Sequence, residues 1–204
     1  MKEDTKEKIL TTAYALFALK GFESCSMNDI AKEANVNKAS LYYHFPNKEG
    51  LYAEVIKGIL ESFYARVSSA VDKETTPHAK LYAFIYAFGE NFKNNHHMAP
   101  LMLRELASNG VNLSMDVKAI LLRNMTLLQS ILELGKAQGV FKDHPVFVIY
   151  LTIVGTMNMY TATSKLRKNM YAQSSIDGLD LNAKEVANEI MQLLLAGLGT
   201  KEVL

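Results

Sequence analysis

Apolar residues recur every three or four positions along nearly the whole chain, and the pattern stops only at glycine, proline or a polar run. That spacing lays one apolar stripe along each of a series of helices. No stretch alternates with the period of two that a half-buried strand needs, so a sheet is excluded as the organising layer. Ile9, Ala13, Leu16 and Phe17, with the methylenes of Lys20, form the first stripe, and Gly21 stops it. Ser26 is placed to cap a second helix, with Asp29 three residues on as a short variant of the capping box and Ile30, Ala31 and Ala34 as the buried face. Asn35-Val36-Asn37 makes a tight connection. Asn37 caps a third helix that ends near Phe45, because Pro46 disfavours helical geometry in the residue before it.

Asn47 caps a long fourth helix that runs through Leu51, Val55, Leu60 and Phe63 to about Val71. The polar break DKETTP follows, and further helical patterns lie at about 78–94, 99–108, 113–138, 144–167 and 182–198. Gly110, Gly139, Pro145 and the polar run 174–180 separate them. The expectation is an all-α fold of about nine helices. A three-helix, helix-turn-helix head occupies residues 1–46 and a larger helical bundle residues 47–204, with the helix at about 47–71 connecting the two.

Several classes of protein are disfavoured. With 204 residues, 49% of them hydrophobic and only four prolines, the chain buries a real core and is not disordered. The lone Cys25 excludes an intramolecular disulfide framework and fits a reducing cytoplasm. The charged start MKEDTKEKIL has no apolar export core. The most apolar run, Val146–Tyr160, falls short of the roughly 18 apolar residues of a membrane span. It also contains Thr152, Thr156 and Asn158, so it reads as a buried helix and no membrane partner is expected. There is no glycine-rich phosphate loop, no G-x-S-x-G elbow and no H-E-x-x-H pair, and His96 and His97 are adjacent rather than one turn apart. Neither an enzyme, nor a metal site, nor a cofactor is expected.

The third helix is the informative one. Leu41 and Phe45 lie one turn apart and pack on Ile30, Ala34 and Val36. Ala39 and Tyr43 then face away, with Lys38 and Tyr42 on one flank and Ser40 and His44 on the other. A helix of this kind, preceded by a short capped helix and a tight turn, is how a helix-turn-helix offers its recognition element to the major groove. Free amides at the starts of the second and third helices can receive phosphate, which brings Ser26, Met27 and Asn28 into the candidate surface. Net charge is +1, and residues 1–50 hold seven lysines against seven acids, so any grip on DNA comes from local placement of charge.

The pattern F22-x-x-x-S26-M27-x-x-I30-A31-x-x-A34-x-V36-x-K38-A39-S40-L41-Y42-Y43-H44-F45-x-x-K48-E49-x-L51 resembles the amino-terminal domain of tetracycline-repressor-type (TetR family) regulators. The resemblance covers about residues 6–55, and the rest of the chain is similar only in length and helical pattern. It implies a dimeric DNA-binding repressor whose second domain binds a small molecule that releases it from its operator. It assigns Lys38, Ala39 and Tyr43 to the groove, Ser26, Tyr42, His44 and Lys48 to backbone phosphates, and Leu41 and Phe45 to the core. No arginine precedes Arg66, so the commonest bidentate contact to guanine is missing. Lys38 is left for a guanine edge, Ala39 for a thymine methyl, and Asn28 or Asn37 for adenine, with DNA shape carrying much of the specificity. Lys2, Lys6 and Lys8 read as a solvated helix end.

In the second domain, Phe84, Phe88 and Phe92 supply more aromatic surface than one buried stripe needs, and Met102 and Met125 add pliable side chains. Together they suggest a pocket for a small apolar or amphipathic ligand, with His97, Arg104 and Asn158 among its polar anchors. Ile149, Ile153 and Met157, with Val186, Ile190 and Leu194, are the candidate dimer interface; burial within one subunit is the alternative. Two such helices per subunit form a four-helix bundle about a two-fold axis, which reads a pseudo-palindrome with half-sites spaced roughly 34 Å apart or a multiple of it. The competing readings are a helical small-molecule-binding protein with no DNA role, and an activator on the same architecture.

Overall fold

The computed structural model describes residues 5–95, 97–171, 174–176 and 178–198, the side chains of 92–94 and 171 excepted. Lys2, His96 and the side chain of Phe92 lie outside the described residues. Ten helices and no strand occur among the described residues: α1 Thr5–Lys20, α2 Met27–Glu33, α3 Lys38–His44, α4 Lys48–Asp72, α5 Pro77–Asn94, α6 Met98–Ala107, α7 Met115–Ala137, α8 Val146–Ala162, α9 Ser164–Tyr171 and α10 Ala183–Leu198.

The count exceeds the expected nine because the helix anticipated at 144–167 is two helices, bent by 65° where they meet. Arg167 accounts for the break. Its Nη1 donates back to the carbonyl of Tyr160 and to Thr163 Oγ1, and its guanidinium lies 3.3 Å over the Tyr160 ring. A carbonyl engaged from the side in this way is a recognised cause of a kink.

The chain divides into two compact units, Met1–Ser62 with His97–Ile120, and Phe63–His96 with Leu121–Leu204. This grouping puts the first part of α4 and all of α6 in the same unit as α1 to α3. In the first unit Ile9, Ala13 and Phe17 of α1, Ile30 of α2, Leu41 of α3 and Leu51 of α4 are fully buried. Each large apolar side chain removed from water in this way contributes about 1.5–3 kcal/mol. In the second unit α5 is started by Thr76, whose Oγ1 accepts from Ala79 N at 3.2 Å, followed by Pro77 in the first turn. Gly89 marks the close approach of α5, α8 and α10: a β-carbon there would lie 3.3 Å from both Ala183 Cβ and Met157 Cε.

α8 is apolar on both sides. Ile149, Ile153 and Met157 are buried, while Phe147, Val148, Leu151 and Met159 are more than half exposed. Among the described residues no single helix is long and apolar enough to cross a membrane.

The six candidate dimer residues therefore need correcting. Ile149, Ile153, Met157, Val186, Ile190 and Leu194 are all at most 7% exposed within one chain. The reason is that α8 carries two apolar stripes, and the one anticipated as intersubunit packs inward.

Candidate nucleic-acid interface

Two local hydrogen-bond devices build the head. At the start of α2, Ser26 Oγ accepts from Asp29 N at 3.1 Å while Asp29 Oδ2 accepts from Ser26 N at 3.1 Å and from Ser26 Oγ at 2.7 Å. This is a complete capping box with aspartate in the glutamate position. Those bonds, the side-chain one first, hold the Asp29 carboxyl below the usual carboxylate range.

α2 then ends in a Schellman turn. Val36 N donates to Ala31 O at 3.0 Å and Asn35 N to Lys32 O at 3.1 Å, with Asn35 at φ 49°. Asparagine is one of the few residues other than glycine that tolerates this left-handed conformation. Immediately afterwards Asn37 Oδ1 accepts from Ser40 N at 2.6 Å and starts α3. Phe45 terminates it in extended geometry (φ −138°, ψ 99°) ahead of Pro46. Asn47 Oδ1 accepts from Gly50 N at 2.7 Å and opens α4.

Between these caps α3 has one buried and one bare face. Leu41 and Phe45 are buried and Val36 is half-buried. Tyr43 is 83% exposed, Tyr42 47%, and Lys38 and Ala39 are exposed, with Ser40 and His44 at the margins. The His44 ring stands edge-on to Tyr43, with centroids 5.2 Å apart.

At the start of α2, Asn28 is exposed, but Met27 is 8% exposed. The Met27 side chain is thus part of the core rather than of the exposed surface. Lys48 is half-buried, and its Nζ donates to Phe22 O at 3.0 Å and lies 4.2 Å over the Phe22 ring. Sequence spacing gave no hint of that contact, because the two residues are 26 positions apart.

The candidate ligand residues are divided between the two units. Phe84, Phe88, Met125 and Asn158 fall in the second unit, His97, Met102 and Arg104 in the first. Phe84 and Phe88 are buried with ring centroids 4.9 Å apart, and Phe88 meets Phe63 edge-on at 4.5 Å. Asn158 is buried; its Nδ2 donates to Val154 O at 2.9 Å, and its Oδ1 has no partner. Met125 is half-buried.

The other three have their own neighbours in the first unit. Arg104 is exposed and donates to Leu19 O at 3.4 Å, placing a cation at the carbonyl end of α1. His97 sets its ring against Tyr14 at 5.7 Å, and Met102 is in the core of the first unit.

A capped helix, a left-handed asparagine turn and a second capped helix with a bare outer face define a helix-turn-helix regulator. The family model described as bacterial regulatory proteins, tetR family, matches residues 9–55, and the one described as YsiA-like protein, C-terminal region, matches residues 56–197. The chain belongs to the TetR family of transcriptional regulators.

Over 83 residues it is 35% identical to the biofilm operon icaADBC HTH-type negative transcriptional regulator IcaR of Staphylococcus aureus (strain Newman), covering 41% of this chain and 45% of that relative. The chain thus spans less than half the length of that relative. It is 26% identical over 155 residues to the "Probable HTH-type transcriptional regulator YttP" of Bacillus subtilis (strain 168), covering 74% of this chain and 75% of the other. The structure of the transcriptional regulator FadR from Bacillus subtilis in complex with stearoyl-CoA matches 93% of this chain and 97% of its own, at a TM-score of 0.75 and 21% identity. At that identity the likeness shows a shared fold.

Proposed function

We propose that the protein is a repressor that binds operator DNA as a homodimer and leaves it when a small apolar or amphipathic ligand binds in the second unit. The observation that carries this reading is the bare face of α3, where Tyr43 is 83% exposed on a helix fixed from beneath by Leu41 and Phe45. Lys38, Ala39 and Tyr43 read the groove. Tyr42, His44, Lys48 and the α2 start with Ser26, Met27 N and Asn28 hold phosphates, and Ser40 stands beside them. The exposed stripe of α8 with Leu193 of α10 forms the two-fold contact. Its work is regulation in the cytoplasm and not catalysis.

Two relatives support the direction of the switch and its ligand class. IcaR is named a negative transcriptional regulator, and the FadR structure holds stearoyl-CoA. An acyl chain suits the aromatic interior around Phe84 and Phe88, and Asn158 Oδ1 is an acceptor for an N–H or O–H elsewhere on an amphipathic ligand. α4 is one unbroken helix from Lys48 to Asp72. A ligand that prefers one placement of α4 weakens DNA binding by no more than its differential affinity, about 1–3 kcal/mol or about 5- to 150-fold.

Selection of random duplex DNA on the purified protein at two salt concentrations tests the reading. Enrichment of a pseudo-palindrome with a steep salt slope is expected. A folded dimer, stripped of ligand, that enriches nothing would end it.

A further inference from the structure

Glu105 of α6 is 2% exposed, and burying a carboxyl group is costly unless something is gained from it. Its Oε1 accepts from Tyr52 Oη and lies 3.4 Å from Asn112 Nδ2, while Oε2 is buried without a partner. A leucine of similar size would fill the same space but leave the buried Tyr52 hydroxyl without an acceptor, so the carboxyl is matched to that hydroxyl. What the carboxyl adds is a fixed position for one hydroxyl.

That hydroxyl belongs to a ring with consequences. Tyr52 of α4 is 1% exposed, and its ring meets Phe17 edge-on at 4.8 Å and Phe22 at 4.8 Å. Phe22 in turn holds Lys48, through its carbonyl at 3.0 Å from Nζ and its ring at 4.2 Å. Lys48 and Tyr52 are one helical turn apart on α4, so Phe22 lies against both. Contact is therefore unbroken from a carboxylate on α6 to an ammonium at the candidate DNA face, all inside one compact unit.

We propose that Glu105 is a positioning residue for operator binding, acting through Tyr52 and Phe22 to hold Lys48 where it meets a phosphate. This rests on the reading of α2 to α4 as the DNA-binding surface. Without the Glu105 carboxyl, Tyr52 loses its acceptor, and Phe22 and Lys48 lose their support.

The test uses the full chain and the duplex that the wild type selects, with dissociation constants read by fluorescence anisotropy on protein whose circular dichroism is native. Glu105→Gln keeps an oxygen that accepts from Tyr52 and is expected to bind within about twofold of wild type. Glu105→Leu removes the acceptor and is expected to bind about fivefold more weakly. In a Lys48→Met background the same Glu105→Leu step should shrink below about twofold, since contacts in one network are not additive.

A Glu105→Leu step of equal size with and without Lys48 overturns the proposal, as does a Glu105→Gln variant as weak as Glu105→Leu. If Glu105→Leu does not fold, Tyr52→Phe runs the same cycle with the ring packing kept. A wild type that selects no duplex removes the DNA-binding reading itself and this proposal with it.

Discussion

The ring of Phe141 lies against the backbone of Gly135, so close that a β-carbon on the glycine would stand 2.0 Å from Cδ2 of the ring. Phe141 is 3% exposed, its N–H donates to Gly135 O at 3.1 Å, and its ring meets that of His78 at 5.0 Å between centroids. The ring is thus held on both sides. Gly135→Ala improves helix propensity by up to about 1 kcal/mol, but forcing a methyl into this contact costs about 1–3 kcal/mol. The collision wins, and a lower urea midpoint is expected. In a Phe141→Ala background the same change should become neutral or stabilising. Stabilisation by Gly135→Ala alone would show that the ring moves aside freely.

Ser26 and Asp29 form one device with a defined pH dependence. Ser26→Ala removes the α2 cap and should cost about 1 kcal/mol in urea unfolding at neutral pH. Asp29 sits below its ordinary value in the folded chain because of its bonds from Ser26. A depressed carboxyl pKa gives stability that is present above the unfolded value, near 4, and is lost as pH falls through the folded value. The penalty of Asp29→Asn should therefore be largest at pH 7 and fade as the pH drops below about 4. A penalty that grows on acidification would contradict the capping geometry.

Tyr43 allows binding to be separated from folding. At 83% exposure it contributes little to the core, so Tyr43→Ala should leave the unfolding free energy within about 0.5 kcal/mol. Operator affinity should nonetheless fall. Lys38→Ala, also at an exposed position, should lose discrimination between the operator and single-base variants at the base that Lys38 reads, by about 1 kcal/mol or more. Dissociation constants at one fixed salt concentration decide both. Full discrimination in Lys38→Ala would remove Lys38 from the groove.

The parts of this molecule that were legible in its sequence are those fixed by neighbours within four residues. Ser26, Asn37 and Asn47 each cap the helix that follows, and Gly21 ends α1 at φ 83°, because these are bonds and conformations of the local chain. The outward face of α3 was legible for the same reason, as one helical period. The bend at Thr163 was not, since its cause is an arginine reaching back from the next helix. Nor was the Tyr52–Glu105 bond, which joins residues 53 positions apart. Periodicity also fails where a helix is apolar all round: it gives α8 two stripes and no means of choosing the inner one.

That choice can be tested directly. On α8, Leu151 is 51% exposed and Ile153 is fully buried. If the exposed stripe is the subunit contact, Leu151→Glu places a charge where the two copies meet, and like charges face each other across the two-fold axis. The protein should then sediment as a monomer with native circular dichroism, and operator binding should weaken because each head meets its half-site alone. Leu193→Glu on α10, at 73% exposure, should behave in the same way. Ile153→Glu instead buries an unpaired carboxylate inside the subunit, which costs several kcal/mol, and should abolish folding. The contrast separates the two stripes. A Leu151→Glu variant that remains a dimer would move the subunit contact elsewhere.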